Sequence, residues 1–75
     1  MPISETELRR TLEQAFPDAE ILIDDLAGDD NHWKATVIAP DFIGLSRVAQ
    51  HKLVQQAVAD KDIHALAIAT RTPNP

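Results

Sequence analysis

An α+β domain is the fold this sequence predicts, and three observations predict it. An amphipathic segment near the N-terminus closes at a proline, two short alternating apolar segments flank a Gly-Asp-Asp-Asn turn, and a second helical pattern leads into a nearly continuous apolar run. The order is α-β-β-α-β, read as a three-stranded mixed sheet with helices on one face. At 75 residues and 44% apolar content, the chain fills one thin core and no more, so residues 1–75 are expected to form a single domain.

Each element has a local cause. Ser4 with Glu7 three residues later is a capping-box spacing, Ile3 and Leu8 stand at the positions of a hydrophobic staple, and Leu8, Leu12, Ala15 and Phe16 recur at helical intervals. These predict a first helix over Glu5 to Phe16, ended by Pro17, which lacks an N–H and pushes its predecessor towards extended backbone. Ala19 to Leu26 and Trp33 to Ala39 alternate apolar and polar residues and read as two strands. Ala27-Gly28-Asp29-Asp30-Asn31 supplies a hairpin loop between them.

Pro40-Asp41 breaks the second strand, and Phe42-Ile43-Gly44-Leu45 connects it to a second helix capped by Ser46 and ending near Asp60. Its apolar side is assigned to Leu45, Ala49, Leu53 and Ala57 with Val54 and Val58 beside them. Ile63 to Thr70 is short and almost wholly apolar, as expected of a covered strand, and Arg71 to Pro75 is expected to fray. A strand, a crossover helix and a second strand in one sheet form a right-handed parallel unit. The second and third strands should therefore run in the same direction, with their starting ends at one edge.

Composition removes several function classes. Twelve acidic residues against seven Lys and Arg leave a net charge of −5, the opposite sign to that of a domain that binds by neutralising phosphates. With no Cys there is no disulfide, no thiolate nucleophile and no metal site built from this chain's own thiolates. No apolar run is long enough to span a bilayer, and the first residues lack the basic and apolar regions of a signal peptide, so a cytoplasmic location is the expectation. Ser4 and Ser46 are accounted for as helix caps, no phosphate-cradling glycine loop is present, and an enzymatic role has no support.

The chemistry rests on where the histidines fall. His32 immediately precedes the second predicted strand and His64 is the second residue of the third. If those strands are neighbours, about 4.8 Å apart, the two imidazoles come within reach of one small ligand. Two neutral imidazoles are half of a tetrahedral site suited to zinc, copper or iron, to be completed by Asp29 or Asp30, by water, or by a second molecule. The last is favoured, because a shallow site at a sheet edge encloses a metal poorly but serves as half of an interface. His51 lies about two turns before the end of the second helix and falls about 10 Å or more short of the pair. Asp24, Asp25, Asp29 and Asp30 do not match a calcium-loop spacing. They read as a solvated acidic hairpin that steers a basic partner. Trp33 is assigned as a half-buried strand residue.

Three motifs in order, Gly28-Asp29-Asp30-Asn31-His32-Trp33, then Phe42-Ile43-Gly44-Leu45-Ser46-Arg47-Val48 leading to His51-Lys52-Leu53-Val54, then Ile63-His64-Ala65-Leu66-Ala67-Ile68 closing on Thr72-Pro73, resemble the BolA family. The likeness covers almost the whole chain and implies a fold related to the second type of KH domain. It also implies partnership with a monothiol glutaredoxin, the two proteins sharing a bridging 2Fe-2S cluster in iron-sulfur trafficking and the signalling of iron status. By the same resemblance the glutaredoxin supplies its active-site cysteine and a glutathione thiol, and this chain supplies His64 and, from the loop before the second strand, His32. His51 matches the family's helix motif, but its expected distance assigns it a structural or surface role. Many members continue into a further C-terminal helix or tail, whereas this sequence stops at Pro75. KH-like kinship makes a nucleic-acid-binding transcriptional regulator the rival reading. Against it stand the acidic charge and the lack of a Gly-x-x-Gly loop, the only glycines being Gly28 and Gly44.

Overall fold

The computed structural model describes residues 3–25, 32–61 and 65–73. Its elements are α1 (Glu5–Ala15), β1 (Glu20–Asp25), β2 (His32–Ile38), a single 3-10 turn (Pro40–Phe42), α2 (Arg47–Ala57) and β3 (Ala65–Arg71). The α-β-β-α-β order and the mixed sheet are those the sequence predicts. β2 is central, antiparallel to β1 and parallel to β3.

Both helices start where a serine side chain replaces a missing partner for the first-turn amides. Ser4 Oγ accepts from the Glu7 N–H at 3.1 Å, and Ser46 Oγ accepts from the Ala49 N–H at 3.2 Å. α1 ends at Ala15, one residue before the predicted limit, with the Phe16 N–H bonded back to the Leu12 carbonyl and Pro17 preventing continuation. α2 ends at Ala57, short of the predicted Asp60.

The register sorts the sheet into two faces. Ile21, Trp33, Ala35 and Val37 are buried on one, with Ile23, Leu66 and Ile68 packed beside them. The helices cover this face, α1 packing on β1, α2 on β3, and the two helices touching each other. Leu8 and Leu12 of α1, Val54 of α2, Val58 at its C-cap, Ile3 and Phe42 complete the core, where the Phe16 and Phe42 rings meet edge to face with centroids 5.4 Å apart. On the other face lie Glu20, Leu22 and Asp24 of β1, His32, Lys34, Thr36 and Ile38 of β2, and Ala67, Ala69 and Arg71 of β3.

Four expectations are corrected. His32 is the first residue of β2 and not the residue before it, because its backbone already pairs in register with β3. Arg71, assigned to a frayed tail, is the last residue of β3, and its carbonyl accepts from the Ala39 N–H at 3.0 Å. Trp33 is fully buried, 1% exposed, because it sits on the helix-covered side of the central strand. Leu45 is 40% exposed and not part of the α2 core face. The helix begins only after Ser46, and the chain turns through Gly44 at a φ of +84° just before Leu45.

Candidate metal-ligand site

The parallel β2–β3 ladder runs from His32 paired with Ala65 to Ile38 paired with Arg71, so both strands begin at one rim of the sheet. His32 stands at that rim, half-buried, on the sheet face opposite Trp33. Along its strand the next residue on the same face is Lys34, which is exposed and in register with Asp24 of β1. This cross-strand acid-base pair sits one pleat from the imidazole. His32 also makes a contact within the chain and is not a free side chain.

The second predicted ligand, His64, lies outside the described residues, as do Asp29 and Asp30 of the predicted hairpin loop. What the structure supplies at that position is the next residue, Ala65, whose backbone is the register partner of His32.

His51 is elsewhere. It follows Gln50 on α2, and the Gln50 side chain bonds to Thr70 near the far end of β3. Five residues of strand separate Thr70 from Ala65, on the order of 16 Å. His51, early in a helix that runs back towards the His32 rim, thus stands near the opposite one, as its place in the sequence leads one to expect. Among the described residues no group of three or more His, Asp or Glu side chains is placed to hold a metal ion.

A surface groove of about 390 Å³ lies at that opposite rim between Asp18, Glu20, Ile38, Arg71, Thr72 and Pro73, well away from His32. A smaller groove of about 210 Å³ runs between the end of α2 and β3, lined by Gln55, Val58, Ala59, Lys61, Leu66 and Ile68. The sequence pattern pointed to neither. Their existence depends on how the helices sit on the sheet and on which strand is at the edge.

A family model described as BolA-like protein matches residues 11–75. The uncharacterized protein RP812 of Rickettsia prowazekii is 40% identical over 73 residues, a match that covers 93% of this chain and 95% of that protein. Its solution structure superposes with a TM-score of 0.79 over 99% of this chain and 100% of that one. The DNA-binding transcriptional regulator BolA of Vibrio cholerae is 50% identical over 48 residues, which is 60% of this chain and 45% of that protein, so the match spans less than half the relative's length. Yeast Fra2, at 30% identity, superposes with a TM-score of 0.81 over 96% of this chain and 82% of that one. No helix among the described residues is long and apolar enough to cross a membrane.

Proposed function

The chain belongs to the BolA family, and from that premise we propose that it acts without catalysis, as the partner of a monothiol glutaredoxin with which it shares a bridging 2Fe-2S cluster. His32 and His64 are its ligands. The remaining donors are thiolates of the glutaredoxin and its glutathione, which suits a chain that has no Cys of its own. The work of the pair is iron-sulfur trafficking and the signalling of iron status.

The observation that supports this reading is the register of His32 with Ala65. Paired strands are about 4.8 Å apart, and residue 64 is one peptide link, about 3.8 Å between Cα atoms, from Ala65. The reading asks of His64 only that its imidazole reach the rim where His32 stands. A ligand pair at an open rim can face donors on another molecule. Imidazole in place of thiolate leaves the cluster less negative and its bonds open to protonation, properties that suit a cluster meant to be passed on.

The test is reconstitution with a monothiol glutaredoxin, glutathione, iron and sulfide, followed by visible absorption of the purified complex. His64→Ala and His32→Ala are expected to lose the heterocomplex spectrum, and His51→Ala to retain it. If His51→Ala behaves like His64→Ala, the ligand assignment fails.

A second reading, a nucleic-acid-binding regulator, is favoured by one finding, the DNA-binding role in the name of the Vibrio cholerae relative. The exposed Arg47 and Lys52 of α2 would be its phosphate contacts. Titration with duplex DNA at two salt concentrations separates the readings, because phosphate contacts impose a steep loss of affinity with salt.

A further inference from the structure

The two edges of the sheet are guarded differently. The Ala39 N–H bond to the Arg71 carbonyl shows that Arg71 turns its backbone groups towards β2. Residues alternate in a parallel ladder, so Leu66, Ile68 and Thr70 turn their N–H and C=O groups away from it, to the outer edge of β3. The same alternation turns Ile21 outward on β1, and there the exposed carbonyl is taken up by the Arg9 guanidinium at 2.8 Å. Charged residues Glu20, Asp24 and Asp25 further guard that edge.

The described residues give β3 less protection. Among the described residues no backbone or side-chain group bonds to the outward N–H and C=O groups of Leu66, Ile68 and Thr70. The strand carries no charge or proline before Arg71. Alongside it lies the groove of about 210 Å³, floored by Leu66 and Ile68 and walled by Gln55, Val58, Ala59 and Lys61, whose ammonium lies 3.9 Å from the Glu7 carboxylate.

We propose that this edge captures an extended segment of another protein as a fourth strand. The segment is antiparallel to β3, apolar at the alternate positions that enter the groove, and carries a carboxylate at the position beside Arg71. The outward groups of Leu66, Ile68 and Thr70 form its ladder, in the manner of strand addition to an open edge. Arg71 is exposed on the uncovered face at the end of β3, where a cross-strand carboxylate on the added strand pairs with it. A second copy of this chain is a poor occupant. α2 packs on β3, and antiparallel pairing of two β3 edges would bring both α2 helices together on one face, where they compete for space that a lone added strand leaves open.

The inference is independent of the cluster reading, and its test contains neither iron nor glutaredoxin. The probe is the acetylated and amidated peptide Glu-Val-Thr-Val-Thr-Val-Thr, whose N-terminal Glu falls beside Arg71 in an antiparallel pairing. Titrated into isotope-labelled protein, it is expected to shift the amide signals of Leu66, Ile68 and Thr70 and to slow their hydrogen exchange by about tenfold or more. Reversing the peptide to Thr-Val-Thr-Val-Thr-Val-Glu, N-methylating its pairing amides, or using Arg71→Glu should each weaken binding several-fold. Ala59→Trp, which fills the groove from an exposed position, should abolish it while the remaining amide spectrum stays native. The proposal is overturned by shifts centred elsewhere, by no shift at millimolar peptide, by equal binding of the N-methylated peptide, or by a dimer of this chain that Ala59→Trp dissolves.

Discussion

The Thr70 hydroxyl donates a 2.7 Å hydrogen bond to the Gln50 side-chain oxygen, joining the end of β3 to the first turns of α2. The Gln50 amide nitrogen donates in turn to the Leu45 carbonyl at 2.9 Å and the Phe42 carbonyl at 3.3 Å. One side chain thus ties the last strand, the 3-10 turn and the helix entry. Each is a partly buried or local bond worth about 1 kcal/mol, and a partner left unsatisfied costs about 1–3 kcal/mol. Gln50→Ala is therefore expected to destabilise the fold by about 2–3 kcal/mol, read as a lower urea midpoint at constant slope. Gln50→Glu should be no better, since a carboxylate can accept from Thr70 but cannot donate to two carbonyls. A Gln50→Glu variant as stable as the parent would contradict this arrangement.

Gly44 has a φ of +84°, and a Cβ built there meets nothing within 4 Å. The cost of a side chain is thus purely conformational. Gly44→Ala is expected to cost about 1–2 kcal/mol, and Gly44→Asn less, because Asn tolerates the left-handed region. Equal urea midpoints for Gly44→Ala and the parent would show that the turn adopts another conformation in solution.

Much of this architecture is legible in the sequence, because its signals are local. Ser4 and Ser46 mark the helix starts, Pro17 and Pro40 the ends of α1 and β2, and the alternation around Ile21 and Ile23 predicts the face they share. The direction of β3 follows from the handedness of crossover connections. What could not be read depends on contacts distant in the chain. Thr70 and Gln50 are 20 residues apart and neither is apolar, so no periodicity links them. Leu45 looks like a core residue until the turn at Gly44 carries it outward. The position of His32 at the rim was legible in topology, but its placement on the uncovered face is set by the pleat of β2 and by which side α1 and α2 cover.

Trp33, the only tryptophan, is 1% exposed in the middle of the core, between Asp25 on β1 and Leu66 on β3 in the register. Its emission should be blue-shifted in the folded chain and move red on unfolding, which gives a built-in reporter for every stability measurement above. Trp33→Ala is expected to cost about 3–5 kcal/mol, a large share of the stability available to a domain of this size. Trp33→Phe, which keeps an aromatic ring there, should cost less. A native emission maximum near that of free tryptophan would contradict the burial.

If His32 is a cluster ligand, its chemistry should set the potential of the shared cluster. Its place at the start of β2, on the face away from the core, allows a change of donor without disturbing the packing around Trp33. His32→Cys replaces a neutral imidazole with a thiolate, adds negative charge to the cluster and makes the added electron less welcome. The reduction potential of the reconstituted heterocomplex is therefore expected to fall, measured by a spectroelectrochemical titration against the parent complex. The urea midpoint of the cluster-free His32→Cys chain, followed by Trp33 emission, separates a change of ligand from a change of fold. An unchanged potential in a normally folded variant would remove His32 from the ligand set while leaving His64 to be judged by its own variant.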